Sequence, residues 1–240
     1  DLSGMLYGGN LRDGYDQFFV IDTYLDKLWR QNLSLPNQIF KTKQIEALLS
    51  LNYQFNENHS MGARFNWEKT PESYWLVNQF AQTFSGNQLY EDLHSNVVGN
   101  EPEGYRKANF YYSGKVKNWS IDFNADGLWS DAENTQVAEE EILGGINEAV
   151  NRSVTTFDTK KNELYAAKLV VSHPLAKGNL SFGGEYSHNK RNTTYFNEEG
   201  VIANDEAMIK EGATSSFLEY AKAFHKVQVQ LGIRYGKVGP

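Results

Sequence analysis

Apolar and polar residues alternate with a period of two through most of the chain, the pattern of strands with one oily and one wet face. Ala47, Leu49, Leu51, Tyr53 and Phe55 interleave with Ser50, Asn52, Gln54 and Asn56. Met61, Ala63, Phe65 and Trp67 interleave with Ser60, Arg64, Asn66 and Glu68. The same texture returns around Ala108–Phe110–Tyr112, Trp119–Ile121–Phe123–Ala125, Tyr165–Ala167–Leu169–Val171, Leu180–Phe182–Gly184–Tyr186 and Val227–Val229–Leu231–Ile233–Tyr235, and more weakly around Leu218, Tyr220 and Phe224.

These runs come in pairs joined by short polar steps: Glu57-Asn58-His59, Lys117-Asn118, Pro174 to Gly178, and His225-Lys226. Joints this short force antiparallel hairpins. Between the pairs the connections are long and polar, roughly Pro71 to Gly104, Asp131 to Lys161 and Arg191 to Gly212. The short joints therefore gather at one end of the sheet and the long connections at the other. A first strand is expected around Leu2 to Leu11, with DTYLDKLW at the top of a long hairpin, and a short helix is expected within Glu139 to Val150. The predicted fold is all-β: an antiparallel up-and-down meander of about 8–10 long strands, part of, or a small version of, a transmembrane β-barrel.

Strand length and end chemistry carry the membrane part of that expectation. The alternating runs last about 9–11 residues, enough to cross a bilayer at a steep tilt. Trp119 and Trp129 lie ten positions apart on one face, about 33 Å along a strand. With Trp67, Tyr186 and Tyr235 they are candidates for the aromatic girdles that flank an outward apolar band. The interleaved residues Arg64, Asn66, Asp122, Asn124, Asp126, Glu185 and Arg234 are the candidate lumen-facing set, in which the two arginines have Glu68, Asp122, Asp126 and Glu185 as available partners. A soluble all-β module for a ligand such as carbohydrate, using Tyr74, Trp75 and Tyr90, is the alternative. It would bury the same apolar stripe between two sheets.

Composition narrows the chemistry. The 240 residues carry a net charge of −7, and no compact basic footprint points to nucleic acid. There is no cysteine, hence neither disulfide nor thiolate metal site. No apolar run is long enough for a transmembrane helix, and mean hydropathy is −0.58. Asp122, Asn124, Asp126, Gly127 and Glu133 fall on the spacing of a calcium-binding EF-hand. Such a loop needs flanking helices, and simple alternation already explains the spacing, so no metal is expected there. The five histidines lack metal-ligand or protease spacing, and no catalytic constellation or cofactor motif is present.

The stretches LNYQFNENHSMGARFNW, WSIDFNADGLWS, NELYAAKLVVSHPLAKGNLSFGGEYSHNKRN and VQVQLGIRY resemble the C-terminal barrel of TonB-dependent receptor-like proteins of the outer-membrane β-barrel family. The resemblance runs from about Gln44 onward. It implies the outer membrane of a Gram-negative bacterium, a barrel of about 22 strands and a role in nutrient uptake without catalysis. It further implies outer-membrane lipid and the TonB energy-transducing complex as partners, and leaves room for a surface lipoprotein. Two departures stand out. No plug domain or TonB box is visible, and roughly nine strands are too few for such a barrel. Residues 1–240 are therefore expected to form one piece of barrel wall, whose open edges favour pairing between copies.

Overall fold

A computed structural model describes residues 1–146 and 150–239. Ten antiparallel strands follow in chain order: β1 Leu2–Tyr24, β2 Leu28–Asn56, β3 His59–Ser85, β4 Gln88–Asn100, β5 Glu103–Val116, β6 Trp119–Gly145, β7 Asn151–Leu175, β8 Gly178–Asn197, β9 Asp205–Phe224 and β10 Val227–Gly239. They form one sheet in which sequence neighbours lie side by side, with a single complication. β4 and β5 both lie between β3 and β6, β4 against their far halves and β5 against their near halves. They act as one ribbon interrupted at Glu101-Pro102, where proline supplies no ladder donor. Ten strands thus make nine ribbons, as the meander predicts.

The short joints fall where the sequence places them, at Glu57-Asn58, Lys117-Asn118, Ala176-Lys177 and His225-Lys226. Ala176 and Lys177 both take positive φ, 50° and 61°. That is the backbone of a tight two-residue hairpin turn, adopted here without glycine.

The long connections differ from the expectation. Most of the three polar segments assigned to loops are strand: β3 runs on to Ser85 and returns as β4, and β6 and β7 extend to Gly145 and from Asn151. β1 likewise reaches Tyr24 rather than ending near Leu11. The expected helix within Glu139 to Val150 is absent from its described part. Glu139–Gly145 is strand, paired to β4 on one side and, through Glu141, to β7 on the other; the rest of that span includes residues outside those described. A ladder on both sides satisfies every backbone donor and acceptor whatever the side chains, so polar sequence does not end a strand here.

The register holds the period-two pattern across the sheet, because residues directly opposite one another point to the same face. Leu6, Ala47, Trp67, Arg106, Trp129 and Glu163 follow one another across β1, β2, β3, β5, β6 and β7. One row nearer the short turns run Leu49, Phe65, Ala108, Gly127, Tyr165 and His188. Below these lie Phe110, Phe123, Leu169 and Phe182 on the same face, reaching Leu218 and Ile233 at the far edge. This apolar face is uncovered: Leu6 is 79% exposed, Ile233 73% and Tyr235 74%. The structure holds one sheet with its oily side open, not two sheets packed on each other. That geometry does not match the soluble-sandwich alternative. Its three aromatics also separate: Tyr74 and Trp75 point to opposite faces, and Tyr90 packs edge-on against Trp29 at 4.9 Å.

The few buried apolar side chains, Ala81, Val97, Ala138 and Ile142, gather in the long hairpins of β3, β4 and β6. Among the described residues β1 and β10 each pair on one side alone, so the sheet has two free edges.

Candidate functional site

The face opposite the apolar one carries the polar chemistry, and its geometry is set by the hairpin turns. In a two-residue hairpin the partner of each residue is fixed by counting back from the turn. The Lys117-Asn118 turn sets Ser113 opposite Asp122 and Asn109 opposite Asp126. The Ala176-Lys177 turn sets Lys168 opposite Glu185.

All seven residues expected to face a lumen, Arg64, Asn66, Asp122, Asn124, Asp126, Glu185 and Arg234, lie on this face. Around β5 and β6 they build an amide–carboxylate network. Asn109 Nδ2 donates to Asn124 Oδ1 at 2.9 Å and to Asp126 Oδ1 at 2.7 Å, while Asn124 Nδ2 donates to Asp126 Oδ2 at 3.0 Å. Ser113 Oγ donates to Asp122 Oδ1 at 2.7 Å. Tyr111 donates its hydroxyl proton to Asn52 Oδ1 at 2.9 Å. Its ring covers Gly62, where a Cβ would come within 2.3 Å of it.

Glu185 holds a second centre. Lys168 Nζ lies 2.6 Å from Oε1, and Arg234 Nη2 contacts Oε2. Arg234 Nη2 also donates to Ser215 Oγ at 2.9 Å. With Asn124 and Asp126 these residues border a groove of about 510 Å³. One carboxylate shared by two cations, beside Asp126 and hydrogen-bonding hydroxyls and amides, suits transient contact with polar solutes of either charge.

Of the available pairings for the two arginines, Arg234 takes Glu185. Arg64 lies opposite Ser50 and Asn109, with no carboxylate within 4 Å among the described residues. The residues of the EF-hand spacing sit on an unbroken strand, with Asp122, Asn124 and Asp126 on the polar face and Glu133 on the other. A strand sets such side chains about 6.6–7 Å apart in a row, which does not wrap an ion.

The five girdle candidates occupy the apolar face. Trp119 stacks obliquely on His173 at 4.4 Å and meets Phe182 edge-on at 6.2 Å. Trp129 Nε1 donates to the Tyr165 hydroxyl at 2.9 Å. Trp67 and Trp129 lie on either side of Arg106. Tyr186 and Tyr235 are exposed on the same face.

The long-hairpin end is braced by polar contacts. Asn197, only 2% exposed, receives at Oδ1 the Ile202 amide at 3.1 Å and donates from Nδ2 to the Thr155 carbonyl at 2.9 Å. Glu199 Oε2 accepts from the Thr155 amide at 2.7 Å, and that backbone donor holds its carboxyl below the usual glutamate range. A lowered carboxyl pKa stabilises the folded form above the ordinary value of about 4.3, and the contribution disappears as pH falls through the folded-state value. Acidification from pH 6 to pH 3 is expected to release the 198–204 turn and raise exchange of the Thr155 amide, after correction for intrinsic rates. In Glu199→Gln this carboxylate contribution is already absent, so its exchange should lose most of that pH dependence.

The family model described as the outer membrane protein beta-barrel family matches residues 112–238. Comparison with curated proteins gives no match. Among solved structures the chain is similar to a loop L8 deletion mutant of OmpT, an outer membrane protein of Vibrio cholerae. That likeness has 12% identity and a TM-score of 0.25, and covers 98% of this chain and 94% of that one. It is also similar to in-vitro folded, trimeric OmpT of Vibrio cholerae, at 12% identity and a TM-score of 0.25 over 98% and 89% of the two chains. A third likeness is to the ferric citrate transporter FecA in its unliganded form, at 9% identity and a TM-score of 0.32. It covers 92% of this chain and 43% of that one.

Proposed function

Because the chain belongs to the outer membrane protein beta-barrel family, and so to the outer membrane of a Gram-negative bacterium, we propose that it forms part of the wall of a TonB-dependent receptor-like barrel that takes up a nutrient and has no catalysis of its own. The observation that carries this reading is the segregation of the sheet into two faces over the halves of the ribbons nearest the short turns, clearest in β2, β3, β5, β6, β8 and β10. The open apolar face suits acyl chains, and the hydrogen-bonded polar face suits a watery lumen. Two free edges, on β1 and β10, are where further wall would pair. Energy would come from the TonB complex acting on a plug outside this sheet, and a surface lipoprotein would approach from the long-hairpin end. The neighbouring cationic and anionic groups of the groove suit a polar cargo.

Deleting the gene should abolish depletion of one scarce nutrient from the medium by intact cells, and loss of TonB function should give the same defect. Depletion that continues after the proton-motive force is collapsed would contradict an energised uptake role. So would a deletion strain that depletes every nutrient at the wild-type rate.

A further inference from the structure

Where β1, β2 and β3 run on toward the long hairpins, three aromatic rings share the polar face. The β1–β2 register is unbroken from Leu6 opposite Ala47 to Tyr15 opposite Gln38, so Asp13, Tyr15 and Phe40 lie on the face that Leu6 and Ala47 do not. In β3 a bulge re-aims the chain. A step of two residues in β2, Lys43 to Ile45, is matched by a step of three in β3, Glu72 to Lys69. The extra residue reverses the alternation. Trp67 therefore lies on the apolar face, while Trp75 lies on the polar face, directly opposite Phe40. The other face carries Arg12, Lys41 and Tyr74 at the adjacent positions, so the apolar groups have changed sides here.

The rings run across the strands. Tyr15 stacks on Phe40 with centroids 5.3 Å apart and planes 10° from parallel, and it is 43% exposed. The Trp75 indole reaches over Gly99 of β4, where a Cβ would meet ring atoms at 2.2 Å and 2.3 Å. Elsewhere on this face Tyr111 covers Gly62, but between Asn52 and Asn124, with its hydroxyl bonded to Asn52. Covering a glycine thus needs one ring, not three. Polar groups border the strip: Asp13 opposite Phe40, Thr42 opposite Ser73, and Gln136 opposite Gly99. Asp13 is exposed and makes no ion pair within 4 Å among the described residues.

We propose that this strip binds a neutral oligosaccharide. A pyranose ring has an apolar C–H face and a rim of hydroxyls. The C–H face packs on an aromatic ring, and the hydroxyls bond to the carboxylate, amide and hydroxyl groups beside it. Asp13, an acceptor at both oxygens, suits two adjacent sugar hydroxyls. An acyl chain or apolar peptide on the strip would leave Asp13, Thr42 and Ser73 without partners. Two strand spacings, roughly 10 Å, leave room for more than one sugar ring in line. The inference rests on the reading of this face as a watery lumen, and it gives the cargo of that reading a chemical class.

The test is titration calorimetry of the full chain in phosphatidylcholine vesicles with maltohexaose, cellohexaose and xylohexaose. At least one should bind, and more tightly than glucose or xylose, which offer a single ring. Trp75→Ala should weaken that binding roughly tenfold, and Tyr15→Ala several-fold. Asp13→Asn, which leaves the packing alone, should also weaken it. Trp67→Phe, on the other face, should bind as wild type. Binding of none of the three hexasaccharides, an equal loss in Trp67→Phe, or equal affinity for indole would overturn the proposal. So would full affinity in Tyr15→Ala and Asp13→Asn, even where Trp75→Ala fails to fold. Collision of a water-soluble nickel chelate with a spin label at Thr42 separates two failures. A label that the chelate reaches, with no hexasaccharide bound, removes the saccharide and keeps the lumen; a label that it does not reach removes both.

Discussion

Leu169→Arg is expected to destabilise the chain in a bilayer by about 2–4 kcal/mol, the cost of a guanidinium facing lipid near the midplane. Leu169 lies on the apolar face, opposite Phe123 on one side and Gly184 on the other. It is midway along β7 between Tyr165, bonded to Trp129, and His173, stacked on Trp119. Snorkelling to water from there is a long reach in either direction. Three residues away, Ala166 points to the polar face between Asp126 and Ser187. Ala166→Arg adds the same group in water beside a carboxylate, and its effect should stay within about 1 kcal/mol. Urea unfolding in phosphatidylcholine vesicles, followed by tryptophan fluorescence, measures both. Equal costs for the two substitutions would mean that the faces do not differ in environment.

A second large effect is expected where the sheet has no room. A Cβ at Gly183 would lie 2.1 Å from the Leu169 carbonyl oxygen and 2.8 Å from the Phe217 ring. The ring can turn away, but the carbonyl belongs to a strand paired on both sides and cannot. Gly183→Ala should therefore cost about 1–3 kcal/mol. Gly212, also in a strand of this sheet, has its nearest neighbour at 3.9 Å. Gly212→Ala fits, and should be neutral or stabilising by up to about 1 kcal/mol. The same unfolding measurement compares them; a Gly183→Ala variant as stable as Gly212→Ala would show that the β7–β8 ladder yields more easily than its pairing implies.

Much of the fold is legible in the residues themselves. The runs Ala47 to Phe55 and Trp119 to Ala125 announce strands, and the short joints fix where they turn. Partners such as Lys168 for Glu185 and Asn109 for Asp126 were also within reach, because a two-residue turn fixes the pairing by counting. They go unnoticed when each strand is read alone. The Arg234–Glu185 contact was harder: it spans from β10 to β8 across β9, so it depends on two successive registers and a diagonal reach.

The extended hairpins were not legible for a physical reason. Asp131 to Gly145 has polar residues on both faces, so periodicity fades while backbone pairing persists. Acidic Glu139-Glu140-Glu141 looks like a helix start by composition, yet its neighbours in β4 and β7 supply the ladder that decides the matter.

Site-directed spin labels at successive positions of β6 from Ile121 to Leu128, in reconstituted vesicles, report which face of the sheet meets lipid and which meets water. Collision with oxygen, which concentrates in lipid, should peak at 121, 123, 125 and 127. Collision with a water-soluble nickel chelate should peak at 122, 124, 126 and 128. Oxygen and chelate profiles that rise and fall together, or that show no period of two, would contradict a sheet with one face toward acyl chains and the other toward water.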